Sequence, residues 1–235
     1  MFQVSEARAE FREEMDIRMP IDEAFDLYVN DSYVTTLVMS PSHVEEAVVG
    51  FLVGSRAVSS LGDIVGISRS DRRVDVRLRG ELKRPRLFVD DCVGLVEGGA
   101  PVRSKLKINR QVFWEVVGDF EERNRFHGLQ AAGIYDTSSR RAFVSFDVSR
   151  FSSVAKAIGT SLLSGADLSS SVAIASGRIS ADLVAMVANC GIPILAGFKS
   201  LLYGGFRNAA LLGLTLVLIR GGEVRVLTYP ERVEL

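Results

Sequence analysis

Apolar residues recur along this chain in three spacings, and each spacing predicts a different element. The stretch SVAIAS at Ser171–Ser176 is continuous and uncharged, as a strand covered on both faces should be. In RRVDVRLRG, Val74, Val76 and Leu78 alternate with Asp75, Arg77 and Arg79, which predicts a half-exposed strand. In SPSHVEEAVVGFLVG, Val44, Ala47, Val48 and Phe51 fall on one helical face. Ser42 and Glu45 have capping-box spacing there, Pro41 precedes the helix, and Gly54 ends it.

The same rules organise the rest. Residues 1–20 read as an edge strand or a flexible arm. Residues 21–39 carry two apolar runs around Asn30-Asp31, a hairpin signature. Residues 62–89 form antiparallel strands, and 80–108 are irregular, with Pro85, Gly94, Gly98, Gly99 and Pro101. From Asn109 the texture changes. A helix over 109–123 precedes the strands LQAAGIYD and RRAFVSFDV, joined by DTSS. The helix VSRFSSVAKAIGTSLLSG follows, with Gly165 near its end, then the 171–176 strand. A helix capped by Ser180 is closed by Gly191 and Pro193. IPILAG, a helix over roughly Phe206–Leu212, LTLVLIR, a Gly221-Gly222 turn and EVRVLTY complete the chain. The order α-β-β-α-β-α-β-α-β implies an α/β fold, a layered sheet with helices on its faces. The expected division is a smaller mixed α+β domain over 1–108 and an α/β domain over 109–235, with the C-terminal strand free to pair with the first domain.

Composition narrows the classes. The chain has 235 residues, 47% hydrophobic and 24% charged, with a formal net charge of −1. Near-neutral charge argues against a large nucleic-acid footprint, which needs clustered excess Lys and Arg. The longest apolar stretch, LLGLTLVLI, is broken by Gly213 and followed by Arg220, too short to span a membrane. The charged N-terminus lacks a signal-peptide apolar core, so a cytoplasmic location is expected. Cys92 and Cys190 lie far apart, and a reducing compartment disfavours joining them.

Candidate chemistry gathers at the turn Ser176-Gly177-Arg178-Ile179-Ser180. A strand-to-helix turn at the carboxyl edge of a sheet presents backbone N–H groups, and Arg178 adds a planar cation suited to phosphate or carboxylate. The same spacing also describes an ordinary βα connection with Arg178 in solvent. Cys92, in VDDCVGLVEGG, is either a loop nucleophile or a small residue packed under the loop. Asp90 and Asp91 beside it would raise its thiol pKa. Cys190 reads as packing. His43 stands in a helix's first turn, where the dipole favours its neutral form, and His127 either lines a cleft or does not. Asp147 and Arg150, between a strand and a helix, suit an ion pair better than a ligand contact. The sequence holds no CxxC, HxxxH or GxSxG motif, so metal and hydrolase signatures are missing.

With these residues laid out, the chain resembles the FdhD family, accessory sulfurtransferases of formate dehydrogenase. Ser40-Pro41-Ser42-His43-Val44-Glu45-Glu46 running to Gly50-Phe51-Leu52 resembles the family's TPGHDEELALGFL stretch. Asp147, Val148, Arg150, Lys156, Ile158 and Gly159 fall in register with EDVGRHNAxDKxIG. The SGRxS turn, the GIPxLxA strand and the closing RG…PER segment also match, in order. The resemblance implies a cytidine-deaminase-like three-layer domain without zinc. It implies sulfur carried as a persulfide, here on Cys92, from a cysteine desulfurase. The client would be a molybdenum or tungsten bis-pterin guanine dinucleotide cofactor of formate dehydrogenase. Ser176, Gly177, Arg178, Ser180, Lys199, His127, Gly128 and Arg150 would hold its nucleotide ends, in a homodimer. Several family positions differ. The loop CxxC keeps only Cys92, its second cysteine falling at or near Leu95. Gln130 stands for a histidine, RHN becomes Arg150-Phe151-Ser152, Ala155 replaces an aspartate, and SAPSSLA becomes Lys199–Gly205. Two functions follow: a persulfide relay, or a nucleotide- or pterin-cofactor chaperone of the same fold without sulfur transfer. A nucleobase hydrolase or deaminase lacks its zinc ligands.

Overall fold

The computed structural model describes residues 1–83, 101–124 and 128–234. The first element, β1 (Gln3–Ala7), is an edge strand: it pairs parallel with a strand near residue 141. β2 (Phe11–Glu14) and β3 (Ile17–Pro20) form a small separate hairpin. β4 (Glu23–Val29) and β5 (Ser32–Met39) form the hairpin expected around Asn30-Asp31. Both turn residues have positive φ, 47° and 65°, as a tight hairpin turn requires. After α1 (Val44–Gly54), β6 (Ile64–Ser70) and β7 (Arg73–Leu78) complete a four-stranded sheet in the order β5-β4-β7-β6.

The remainder builds the larger sheet. Its elements are α2 (Arg110–Arg123), β8 (Gln130–Asp136), β9 (Arg141–Asp147), α3 (Arg150–Leu163), β10 (Ser171–Ala175), α4 (Ala181–Asn189), β11 (Ile194–Gly197), α5 (Tyr203–Leu212), β12 (Thr215–Arg220) and β13 (Glu223–Val226). Seven strands run in the order β1-β9-β8-β10-β11-β12-β13, with β10, β11 and β12 parallel. Alternate β10 residues face opposite layers. Val172 and Ile174 pack with Phe113, Val116 and Phe120 of α2; Ala173 and Ala175 join the core beneath α3 and α4. Two covered faces explain the uninterrupted apolar run. Val233 bridges Ile108, and the Glu234 N–H donates to the Ile108 carbonyl at 2.9 Å. Among the described residues no helix is long and apolar enough to cross a membrane.

Three local expectations are corrected. First, the Ser42–Glu45 capping box does not form. The Ser42 hydroxyl donates to the Arg8 carbonyl at 2.6 Å, and α1 starts one residue later, with His43 as its cap in the left-handed region (φ 52°). His43 Nδ1 lies 3.3 Å from Glu46 Oε1, and this contact helps to hold the Glu46 carboxyl below its usual range. Second, α1 has more than one apolar face. Val49, Gly50, Leu52 and Val53 are buried along with the predicted face, because the four-stranded sheet covers one side and α3 with α4 the other. Third, α5 begins at Tyr203 rather than near Phe206. Gly204 and Gly205 let its first turn sit on the Ile179 carbonyl, only 2.7 Å from where a Cβ on Gly205 would lie.

The α1–α3 crossing is backbone on backbone. A methyl group at Gly50 would overlap the Ala155 carbonyl, and one at Gly159 would overlap the Glu46 carbonyl. Helix ends are also unequal. α4 and α5 close on glycines with positive φ, Gly191 and Gly213, whereas α1 closes on Arg56 at φ 57°. A side chain in that conformation costs about 1 kcal/mol relative to glycine.

Asp147 takes Lys156 as its ion-pair partner rather than Arg150. Lys156 Nζ lies 2.5 Å from Asp147 Oδ2, both side chains being 0% exposed. Nζ also donates to the Ser40 carbonyl at 2.9 Å, while the Ser40 N–H donates to Oδ2 at 3.2 Å. The Ser149 N–H reaches Oδ1 at 2.8 Å. Burial pushes the Asp147 pKa up and that of Lys156 down, and their mutual attraction opposes both shifts. In the β8–β9 turn, Asp136 accepts the N–H and hydroxyl of Ser138 and of Ser139, and the Asp167 N–H. Burial raises its pKa, but these bonds outweigh burial and hold the carboxyl down at about 2.

Gly159→Ala should therefore destabilise the protein by about 2–3 kcal/mol in urea melts, since the helices must part to admit the methyl. Lys156→Met should cost about 3–5 kcal/mol by leaving Asp147 buried without its counter-charge. The folded pKa of Asp136 lies below its ordinary value of 3.8. Its stabilisation of roughly 2 kcal/mol is then present above pH 4 and lost as pH falls towards 2. Melts of Asp136→Asn across that window should lack this component.

Candidate functional site

The carboxyl ends of the parallel strands β10 and β11 carry the two loops that make the site. The first is Ser176–Ser180. Ser176 extends the β8–β10 pairing: its N–H donates to the Ala131 carbonyl at 2.9 Å and its hydroxyl oxygen accepts the Ala131 N–H at 2.8 Å. Its role is to fix the turn. Gly177 is buried because the Arg150 side chain crosses it. A Cβ there would lie 2.6 Å from Arg150 Cγ, 2.7 Å from Cδ and 3.1 Å from Gln130 Oε1. Arg150, the first residue of α3, is only 8% exposed. Ile179 ties the first loop to the second. Its N–H donates to the Ser200 carbonyl at 3.1 Å, and its carbonyl accepts the Leu202 N–H at 2.9 Å.

These anchors leave Arg178 and Lys199 exposed on neighbouring loops. Neither has an ion-pair partner among the described residues. Ser180 occupies the cap position of α4 as expected, but its hydroxyl donates to the Asp182 carboxylate and makes no capping bond. The buried Asp182 puts negative charge in the first turn of α4, which offsets the positive end of that helix and leaves Arg178 and Lys199 as the exposed positive charge here.

The structure thus brings Gly177, Arg150 and Gln130 together, and sets Arg178 and Lys199 on bridged loops. Gly128 stands two residues before β8 with φ 83°, its nearest outside neighbour being Pro20. Cys92 and His127 lie outside the described residues. The sequence reading offered Gln130 only as a substitution for a histidine; its contact with Gly177 comes from the β8–β10 pairing, a long-range relation that spacing does not encode. Cys190 is half-buried against the core at the end of α4, and burial pushes its thiol up to about 12. It is therefore protonated and unreactive at neutral pH. Among the described residues no group of three or more His, Cys, Asp or Glu side chains is placed to hold a metal ion.

A mixed sheet whose carboxyl edge presents two exposed cations beside an arginine laid over glycine defines an α/β protein with a positively charged edge. The family described as FdhD/NarQ matches residues 20–234, and the chain belongs to that family. It is 28% identical over 226 residues to the sulfur carrier protein FdhD of Methanothermobacter thermautotrophicus, covering 87% of each chain. It is 29% identical over 247 residues to the sulfur carrier protein FdhD of Sulfolobus acidocaldarius, covering 99% of this chain and 97% of that one. A crystal structure described as a formate dehydrogenase accessory protein from Desulfotalea psychrophila superposes with a TM-score of 0.78. It is 22% identical and aligned over 97% of this chain and 98% of its own, a likeness of fold.

The Gly177–Arg150 contact is open to a double-mutant cycle. Gly177→Ala should destabilise the wild-type background and do less harm beside Arg150→Ala, with a coupling of about 1 kcal/mol in thermal melts. Equal losses in both backgrounds would show that the arginine stem does not require the glycine.

Proposed function

We propose that this chain is a sulfur carrier that serves formate dehydrogenase. Cys92 takes the sulfane sulfur from a cysteine desulfurase and holds it as a persulfide. The client is a molybdenum or tungsten bis-pterin guanine dinucleotide cofactor, its phosphate end held at Arg178 and Lys199 over the Ser176–Ser180 turn. The family membership and the names of the curated relatives support the carrier role. The observation that carries the assignment to Cys92 is the state of Cys190. The chain has two cysteines, and Cys190 is half-buried against the core at the end of α4, where burial raises its thiol. Sulfur uptake requires an accessible thiolate, which disfavours Cys190 and supports Cys92, the cysteine that the family resemblance places in the carrier loop.

The uptake step is balanced with one cysteine. The Cys92 thiolate attacks the outer sulfur of the desulfurase persulfide. That S–S bond breaks as the Cys92 S–S bond forms, and the desulfurase departs as a thiolate with no net change in oxidation state. On this reading the protein works in the cytoplasm as a homodimer. The placing of α2 and of α3 with α4 on opposite faces of the seven-stranded sheet supports reading residues 109–235 as a cytidine-deaminase-like domain. The preceding part, apart from β1, which joins the seven-stranded sheet, would be a second domain seated through α1. A cofactor chaperone without sulfur transfer is the second reading. It is favoured by the retained Ser-Gly-Arg turn beside a loop with a single cysteine.

Incubation with a desulfurase and cysteine, followed by intact-mass spectrometry, separates the two. The relay predicts a gain of one sulfur in the wild type and in Cys190→Ala, and none in Cys92→Ala. No gain in any form would leave the chaperone, for which GDP calorimetry should still show binding that Arg178→Ala removes.

A further inference from the structure

A second positively charged cleft lies at the opposite end of the large sheet. It opens where the chain enters β10 and β11, near Ser170 and Gly191, whereas the Arg178 turn leaves at the other end. The cavity has a volume of about 870 Å³, and Arg56, Arg103, Lys105, Ser104, Ser169 and Ser170 supply its polar lining. That size suits a small molecule rather than a single ion. We propose that this cleft is an anion site of its own, which takes a diphosphate group.

Its cations are held in place. In residues 101–107, Val102 is buried, Ser104 and Leu106 are half-buried, and Arg103, Lys105 and Lys107 are exposed in alternation with them. The Val102 N–H donates to the Leu212 carbonyl at 2.7 Å, the Ser104 hydroxyl donates to the Ser169 carbonyl at 2.6 Å, and the Leu106 N–H donates back to Ser104 Oγ at 3.0 Å. The segment is thereby pinned, and Arg103 and Lys105 both line the cleft. Arg232 stands behind it, its guanidinium 3.5 Å from the Ser104 carbonyl. None of Arg56, Arg103 and Lys105 has an ion-pair partner among the described residues.

Arg56 supplies an independent indication. Among the left-handed residues that close the described helices, Arg56, Gly165, Gly191 and Gly213, it alone is not glycine. Strain of this kind is often kept where the side chain serves a function, and Arg56 lines the cleft. A purely structural explanation would be that Arg56 neutralises the carboxyl end of α1. That explanation leaves Arg103 and Lys105 unaccounted for. Opposing charge is modest. The ends of α1 and α4, joined by the Asn189 side chain bonding the Gly54 carbonyl at 2.8 Å, each bring about half a negative charge. The Asp167 carboxylate is turned onto the Ser169 and Ser170 hydroxyls at 2.7 Å. Among the lining residues only Pro101 and Leu106 are large and apolar, and no aromatic residue is present to stack a base. The chemistry recognised is therefore the phosphate pair, borne on a small molecule or free.

The test is calorimetric titration of the full chain with pyrophosphate at low salt. It is run in the wild type and in Arg178→Ala, so that the carboxyl-edge site is kept apart. We expect saturable binding in both, weakening steeply with salt, and a loss of about tenfold or more in Arg103→Gln/Lys105→Gln. Both of those side chains are exposed, and circular dichroism should show the fold intact. Arg56→Gly should bind pyrophosphate more weakly and yet melt at a higher temperature, because glycine relieves the left-handed strain. A parallel titration with ADP distinguishes the source: tighter binding than pyrophosphate, lost in the double variant, means that the phosphates arrive on a nucleoside, and equal binding means that they arrive free. No saturable heat with pyrophosphate overturns the proposal. So does unchanged affinity in the double variant, or a preference for a polyglutamate peptide.

Discussion

Everything in this fold hangs on how closely α1 and α3 approach. Two glycines, Gly50 and Gly159, each lie against a backbone carbonyl of the other helix. At such short range neither helix can rotate or slide without collision, so the crossing has one register. A helix with apolar residues all round also has no stable place in water. α1 must be enclosed, and the four-stranded sheet on one side and α3 with α4 on the other are what enclose it. The Lys156–Asp147–Ser40 contact sits by the same crossing and adds a polar lock to a steric one. Such a buried pair contributes more to uniqueness than to net stability, since desolvation offsets much of the attraction.

The site inherits its geometry from that crossing. Asp147 closes β9 and receives the Ser149 N–H, and Ser149 in turn caps α3 by accepting the Ser152 N–H at 3.2 Å. The next residue is Arg150, which begins α3 and lies across Gly177. A short chain of contacts thus runs from the α1–α3 interface to the Ser176–Ser180 turn. The turn itself is rigid for a separate reason: Ser176 is bonded to β8 and Ile179 to the β11–α5 loop. Arg178 and Lys199 are free at their tips and fixed at their roots, which suits a ligand that must be released again.

Much of the fold was legible because it is written in short-range spacing. Asn30-Asp31 specifies its hairpin, Val74-Val76-Leu78 specifies a sheet face, and Ser171–Ala175 specifies a covered strand. The capping box at Ser42 was misread because the Arg8 carbonyl, far away in sequence, claims the hydroxyl. Spacing pairs Asp147 with its near neighbour Arg150, whereas the helix turns Lys156 towards it. The all-round burial of α1 depends on α3, and no periodicity within α1 announces that. At the site, Arg178 could be found from the turn that carries it, and Lys199 only through the family resemblance. Gln130 and Asp182 could not, since their contacts depend on strand pairing and on which of two oxygens a serine chooses.

The α1–α3 crossing also sets a timetable for synthesis. The β4–β5 hairpin precedes α1 and can cover one side of it at once. The other side waits for α3, whose Gly159 lies about a hundred residues downstream. At ordinary elongation rates of roughly 5–20 residues per second, α1 spends on the order of ten seconds on the ribosome with half of its apolar surface uncovered. Nascent chains of this protein are therefore expected to need a holding chaperone during that interval, and the need ends when the second glycine emerges.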